Sequence, residues 1–193
     1  YKKKVCFTFV TDEENLGPEG TKLLKDNKII NPHTMILGSP TNNNLIVEER
    51  GVFWINVEVF GKTSHAGEPN KGINSIIKAT KIINLLENNY KKFIKKYNSG
   101  PSKSSINIGI IYGGENVNVV PHITSFQIDR RITIKENIND SFKEIKNFIK
   151  QIDKSTKIKF LTGTNAFRSN KSNLYLKNLM KSYYLIKKRK PKF

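Results

Sequence analysis

The spacing of apolar side chains divides the chain into stretches of different rhythm. Residues 4–10 form an unbroken run of β-forming residues, which predicts a central strand buried on both faces. That strand would deliver Thr11-Asp12-Glu13-Glu14 into a loop. Gly17-Pro18-Glu19-Gly20 would then open a short helix reaching about Asn27, and residues 34–37 read as a second buried strand with Gly38-Ser39-Pro40-Thr41 as the loop at its end. Strand, acidic loop, helix, strand is how an α/β domain begins, with polar loops gathered at the carboxyl ends of its strands.

From Gly51 the rhythm changes. Phe53, Ile55, Val57 and Val59 alternate with Trp54, Asn56, Glu58 and Phe60, as in a strand with one core face and one mixed face. After a loop that carries His65, apolar residues at Ile76, Ile83, Leu86, Tyr90, Phe93 and Tyr97 recur at helical spacing up to the break at Ser99-Gly100-Pro101. Ile106, Ile108, Ile110 and Tyr112 alternate again, Gly113-Gly114 turns the chain, and Phe126, Ile128, Ile132 and Ile134 mark a third alternating strand. A second long helix is expected to start near Ser141, where Ser141 and Glu144 fit a capping box, and to bury Phe142, Ile145, Ile149 and Ile152. Ile158 and Phe160 give a short last strand, Thr162-Gly163-Thr164-Asn165 a loop, and Leu176, Leu179, Met180 and Tyr183 a final helix. The order β-α-β-β-α-β over residues 51–162 is ferredoxin-like. It predicts a compact module inserted into an α/β domain, with residues 1–50 as the first part of that domain and 163–193 as its return segment.

Composition adds limits. Hydrophobic residues at 37% and aromatics at 10% suit a folded core and exclude disorder as the main state. The formal charge of +18 suggests nucleic acid, yet only five of the 34 basic residues are Arg, the residue that reads phosphates and bases bidentately. The lysines are scattered, and 23 asparagines accompany them, so the bias reads as that of an AT-rich genome and not as a polyanion footprint. A nucleic-acid partner is not expected. The single cysteine, Cys6, lies inside the first apolar run and is expected to be a buried thiol of a reduced, cytoplasmic protein. No apolar stretch approaches the roughly 18 residues of a membrane span, and no signal peptide is visible. The chain opens on Tyr1 and breaks off at Phe193 just after a helix, which suggests an internal piece of something longer.

Two constellations carry chemistry. Acidic triplets in loops are usually solvated, but Asp12-Glu13-Glu14 at the end of a buried strand would repel one another, and a divalent cation is the natural compensation. Adjacent side chains diverge, so one carboxylate can bind metal while its neighbour takes a proton from metal-bound water. His65 sits in Gly61-Lys62-Thr63-Ser64-His65-Ala66-Gly67-Glu68-Pro69-Asn70-Lys71-Gly72, a tight loop between strand and helix. A lone loop histidine is more often structural, but from this place it can reach beyond its own domain.

Taken together, Thr11-Asp12-Glu13-Glu14, Glu49-Arg50-Gly51, the run from Gly61 to Ile76, Asn118-Val119-Val120-Pro121 and Asp129-Arg130-Arg131 resemble the dinuclear-zinc amidohydrolases and exopeptidases, the family of acetylornithine deacetylase, succinyl-diaminopimelate desuccinylase, aminoacylase and bacterial glutamate carboxypeptidase. The resemblance runs through essentially the whole chain. It implies a partial zinc-exopeptidase-like catalytic domain with an inserted ferredoxin-like dimerisation, or lid, domain. It further implies that Glu13 is the general base, that Glu14 is a zinc ligand, and that His65 reaches from the small domain of one subunit into its partner's site to stabilise an oxyanion. Asn118 and Arg131 match positions that bind substrate, with Arg suited to a carboxylate; for Arg131 a surface ion pair with Asp129 is the equal alternative. The implied cofactor is Zn2+, two per site, with Co2+ as the alternative metal. The implied partners are a second copy, joined through the small domain, and a small N-acyl amino acid or peptide.

Two departures stand against the pattern. The family's acidic ligand in Gly-Glu-Pro-Thr is replaced by Ser39, and a hydroxyl is a poor zinc ligand beside carboxylate and imidazole. A non-catalytic dimerisation module or an inactive relative is therefore the alternative reading. The family's first His-x-Asp, its bridging aspartate and its final histidine are absent from these residues, so the 193 residues by themselves are expected to build no two-zinc site.

Overall fold

The computed structural model describes residues 5–12, 19–170 and 172–190. Its centre is a four-stranded antiparallel sheet in the order β3-β4-β2-β5, built from β2 (Gly51–Phe60), β3 (Ser105–Gly113), β4 (Ile123–Ile132) and β5 (Lys157–Thr164). With α2 (Ser75–Leu85) between β2 and β3, and α4 (Ile138–Ile152) between β4 and β5, this is the expected β-α-β-β-α-β order. Strand β2 lies inside the sheet and pairs with β4 along its whole length, from Gly51↔Ile132 to Phe60↔Ile123.

Alternation in β2 works as expected. Phe53, Ile55, Val57 and Val59 are fully buried, and the residues between them are half-buried. The core is one cluster between this face and the helices: Ala79, Ile82, Leu86, Tyr90 and Ile94 from the first helical run, and Ile145 and Ile149 from α4. The first run is not a uniform α-helix. After Leu85 it passes through a π turn over Leu86–Tyr90, a single α turn, α3 (Lys91–Phe93), and a 3-10 turn over Ile94–Tyr97. The cause is the spacing of the buried side chains. Ile82, Leu86, Tyr90 and Ile94 follow one another at four residues each, wider than the 3.6 of an α-helix, and the N–H of Lys91 reaches back to the carbonyl of Leu86.

Several expectations are corrected. Helix α4 starts at Ile138 and not near Ser141, because Asn137 takes the cap, its side chain accepting from the N–H of Asn139 at 2.8 Å. Ser141 is instead a buried residue of the first turn. Strand β5 runs through Thr164, so most of the expected Thr162–Asn165 loop is sheet. Strand β4 ends at Ile132, two residues before Ile134.

The larger correction concerns the flanks. Residues 5–10 form no strand, and their side chains, Cys6 among them, are exposed; Phe9 is 94% exposed. Residues 34–37 likewise form no strand and are exposed. A strand buried on both faces needs a neighbour on each side and a layer above and below, and no described residues supply these. The expected first helix is short, α1 (Thr21–Asp26). One link was not foreseen: β1 (Glu48–Glu49) pairs with β6 (Phe167–Arg168), tying together the two ends of the module. Beyond them, α5 (Leu174–Lys187) is the final helix, with no buried residue. Among the described residues no helix is long and apolar enough to cross a membrane.

Candidate functional site around His65

The chain leaves β2 through Gly61, where a Cβ would stand 2.0 Å from the carbonyl oxygen of Ile73, so only glycine lets the two legs of the loop approach so closely. The legs are joined by an antiparallel bridge between Lys62 and Ile73, with both backbone bonds at 2.8 Å. Between them a short 3-10 turn, Pro69–Lys71, carries the chain back toward α2. Asn74 caps that helix, its side chain accepting from the N–H of Ile76 at 2.9 Å and of Ile77 at 3.1 Å.

The loop is braced against the segment that leads into β4. Gly61 N–H donates to the carbonyl of His122 at 2.7 Å, and Ser75 N–H to that of Pro121 at 3.0 Å. The buried hydroxyls of Ser75 and Thr124 meet at 2.9 Å. At the tip, Ala66 N–H donates to the carbonyl of Asn118 and Val120 N–H to that of Ser64, both at 2.9 Å, which pairs His65 with Val119. His65 itself is exposed, outside the hydrophobic interior, and its Nδ1 accepts from the N–H of Gly67 at 3.1 Å. The structure therefore brings His65 and Asn118 to one place, both with side chains open to solvent. Beside them a cleft of about 330 Å³ is lined by Glu58, Thr63, Tyr112, Glu115 and His122, among others.

Arg131 is elsewhere. It lies eight residues along β4 from Ile123, roughly 26 Å at the rise of a strand. Its guanidinium donates through Nε at 2.8 Å and Nη2 at 2.9 Å to Asp129, which also accepts from Trp54 Nε1 at 2.9 Å. The pair with Asp129 is thus present. It uses two of the five donors of the guanidinium and leaves the side chain 41% exposed.

Glu13 and Glu14 lie outside the described residues. Asp12 is described: its carboxylate accepts from the N–H of Glu19 at 3.0 Å. Ser39 is exposed, and its carbonyl accepts from Thr41 N–H at 2.8 Å. Among the described residues no three His, Cys, Asp or Glu side chains gather as metal ligands. The described residues by themselves therefore offer no set of donors for a metal.

A buried polar network was missed. Arg130 is fully buried, donates to Glu136 and to the carbonyl of Arg131, and leaves Nε without a partner. Glu136 also accepts from the hydroxyl of Ser104 and from Thr133 N–H at 2.9 Å. Next to it Tyr90 and Tyr97 donate to the two oxygens of Glu144 at 3.0 and 2.7 Å. Burial first, and then the bond to Glu144, push the phenol of Tyr97 up to about 12. The signal was available: Arg130 shares the parity of Phe126, Ile128 and Ile132, the core-facing positions of β4.

Comparison with known proteins agrees with this architecture. Residues 47–157 match the model of the peptidase dimerisation domain. A metallohydrolase of Methanocaldococcus jannaschii is 31% identical over 163 residues, which cover 79% of this chain and 40% of that protein. The acetylornithine deacetylase of Buchnera aphidicola is 29% identical over 168 residues, covering 77% of this chain and 43% of its own length. The chain thus spans about two fifths of the curated relatives it matches. Among solved structures, the aminopeptidase PepT of Bacillus cereus superposes with a TM-score of 0.58 at 20% identity, over 76% of this chain and 38% of that one, a likeness of fold. With more than half of its residues matched to that model, the chain belongs to the peptidase dimerisation domain family.

Proposed function

We propose that the whole protein is a metal-dependent hydrolase that cleaves the amide bond of an N-acyl amino acid or small peptide, and that it works as a homodimer joined through the module of residues 51–162. In this reading residues 1–50 and 163–193 belong to the catalytic domain, Glu13 accepts the proton of the attacking water, and Glu14 is a ligand of a zinc site with two metals. His65 donates to the oxyanion, and Asn118 and Arg131 hold the substrate. The names of the matched relatives, metallohydrolase and acetylornithine deacetylase, support the reaction class.

The observation that carries the two-copy reading is distance. His65 and Asn118 sit in the loops that precede one end of β4 and Arg131 lies near the other end, with the strand between Ile123 and Arg131 spanning roughly 26 Å. One small substrate cannot touch both ends of a single copy. A two-fold pair supplies the missing end, because each copy then offers its loop to a site carried by the other.

Mixing tests this directly. Full-length protein carrying His65→Ala and full-length protein carrying Glu13→Ala should each be inactive. Dissociated and reassociated together in equal amounts, they should recover roughly a quarter of wild-type turnover, because half of the dimers then hold one intact site of two. No recovery, with heterodimers demonstrated by mass, would place His65 in its own copy's site.

Ser39 supports a second reading, a dimerising relative without hydrolytic activity, since an exposed serine stands where the resembled family has a carboxylate. Full-length protein that dimerises but binds no zinc would select that reading.

A further inference from the structure

The ring of His65 is held by a bond that decides which of its nitrogens can donate. The N–H of Gly67 points at Nδ1, 3.1 Å away. A ring nitrogen that accepts a hydrogen bond carries no proton, so the single N–H of the neutral imidazole is left on Nε2. The backbone on both sides of the ring is fixed as well. The carbonyl of His65 accepts from Glu68 N–H at 2.9 Å, and the neighbouring Ser64 and Ala66 are bonded to Val120 and Asn118.

The lack of a side chain at position 67 has a specific reason. The φ of Gly67 lies outside the left-handed region, so its backbone does not demand glycine. A Cβ there would instead stand 3.2 Å from Nδ1 and 3.6 Å from Cε1 of His65, crowding the nitrogen that receives the bond.

An oxyanion can only accept, so the group that stabilises it must present a proton. A histidine free to exchange tautomers spends part of its time with an acceptor turned outward. The geometry points to Gly67 as a positioning residue whose amide biases His65 toward the Nε2–H tautomer, so that the exposed nitrogen is predominantly the donor. The purpose of this arrangement rests on the reading of His65 given above; the tautomer itself does not.

Long-range 1H–15N spectra of the 193-residue chain with 15N-labelled histidine, taken above the ordinary histidine range of roughly 6.5, read the tautomers of all three histidines at once. The ratio of Nε2–H to Nδ1–H should be about fivefold higher at His65 than at the exposed His33 and His122, the effect of one ordinary hydrogen bond. Gly67→Pro removes the donor and should return His65 to the ratio of the other two. In the uniformly 15N-labelled chain, a scalar coupling across the bond, between Gly67 N and His65 Nδ1, reads the same contact without substitution, should the proline variant distort the loop. An Nδ1–H tautomer at His65, a ratio equal to that of the other histidines, or no coupling overturns the assignment. If the tautomer is as stated but full-length activity is indifferent to His65→Ala, the oxyanion reading fails and the role of Gly67 as tautomer anchor stands.

Discussion

Replacing Glu136 by glutamine should unsettle the module more than any other change of a single charge. Arg130 is fully buried and the Glu136 side chain is 1% exposed, so removing the carboxylate leaves a guanidinium in the interior without its counter-charge. Breaking one side of a buried pair costs about 3–5 kcal/mol. Glutamine keeps one acceptor oxygen, which puts Glu136→Gln near 3 kcal/mol, a large part of the roughly 5–15 kcal/mol that holds a domain folded. Trp54 is the only tryptophan and its Nε1 donates to Asp129 within the sheet, so its fluorescence reports unfolding of this module. With a urea slope of about 2 kcal/mol per molar, the midpoint should fall by about 1.5 M. The double variant Arg130→Met with Glu136→Leu, which buries neither charge, should recover most of that loss. A fall of less than about 1 kcal/mol in the single variant, or a double variant no better than the single, would refute the view that the buried charge sets the cost.

Phe53→Ala removes a fully buried ring that stacks on Phe160 at 6.1 Å, and should cost about 3–5 kcal/mol in the same urea assay. Alkali should weaken the fold through Tyr97: between its ordinary value of 10.0 and about 12 the unfolded chain releases a proton that the folded chain keeps, so stability falls as pH rises across that window, and Tyr97→Phe should flatten the slope. Acid acts through Asp153. Burial opposes its ionisation, but Lys78 at 2.7 Å and two bonds from Ser155 outweigh that and hold its carboxyl below the ordinary 3.8. Its contribution is complete above that value and disappears as pH falls through the lowered one, so Asp153→Asn should remove part of the acid sensitivity. In the full-length protein, His65→Ala should abolish turnover while bound zinc, measured by elemental analysis, is retained; parallel loss of both would contradict an oxyanion role.

Period-two alternation placed β2 correctly because its neighbours on both sides, β4 and β5, are part of the same module and the pattern has a real core to face. The run at residues 5–10 shows the limit of such reasoning. Its apolar side chains announce a need for burial but not the partner that would meet it, and none of the described residues does so. At α4 the capping-box spacing of Ser141 and Glu144 pointed to a start three residues too late, because Asn137 caps the helix and Ser141 is buried within it. The meeting of His65 with Asn118 depends on backbone bonds between segments more than fifty residues apart, which no local periodicity encodes. Arg130 has the parity of the core-facing residues of β4, which puts its charge inside, and the counter-charge that makes this possible comes from Glu136, beyond the end of the strand, where alternation carries no information.

The widened turn at Leu86–Tyr90 gives the long helical run an uneven tolerance of changes in length. Buried residues arrive there every four positions, so removing one residue from the outer side, Asn88 for example, would shorten one interval to three and restore an ordinary α-helix with Tyr90 and Ile94 still facing the sheet. The same deletion one turn earlier, inside α2, would swing everything downstream by about 100° and expose the stripe. The chain can therefore lose a residue at this place and keep its architecture, and the wide turn has the form of a single-residue insertion that the helix absorbed without disturbing what it covers.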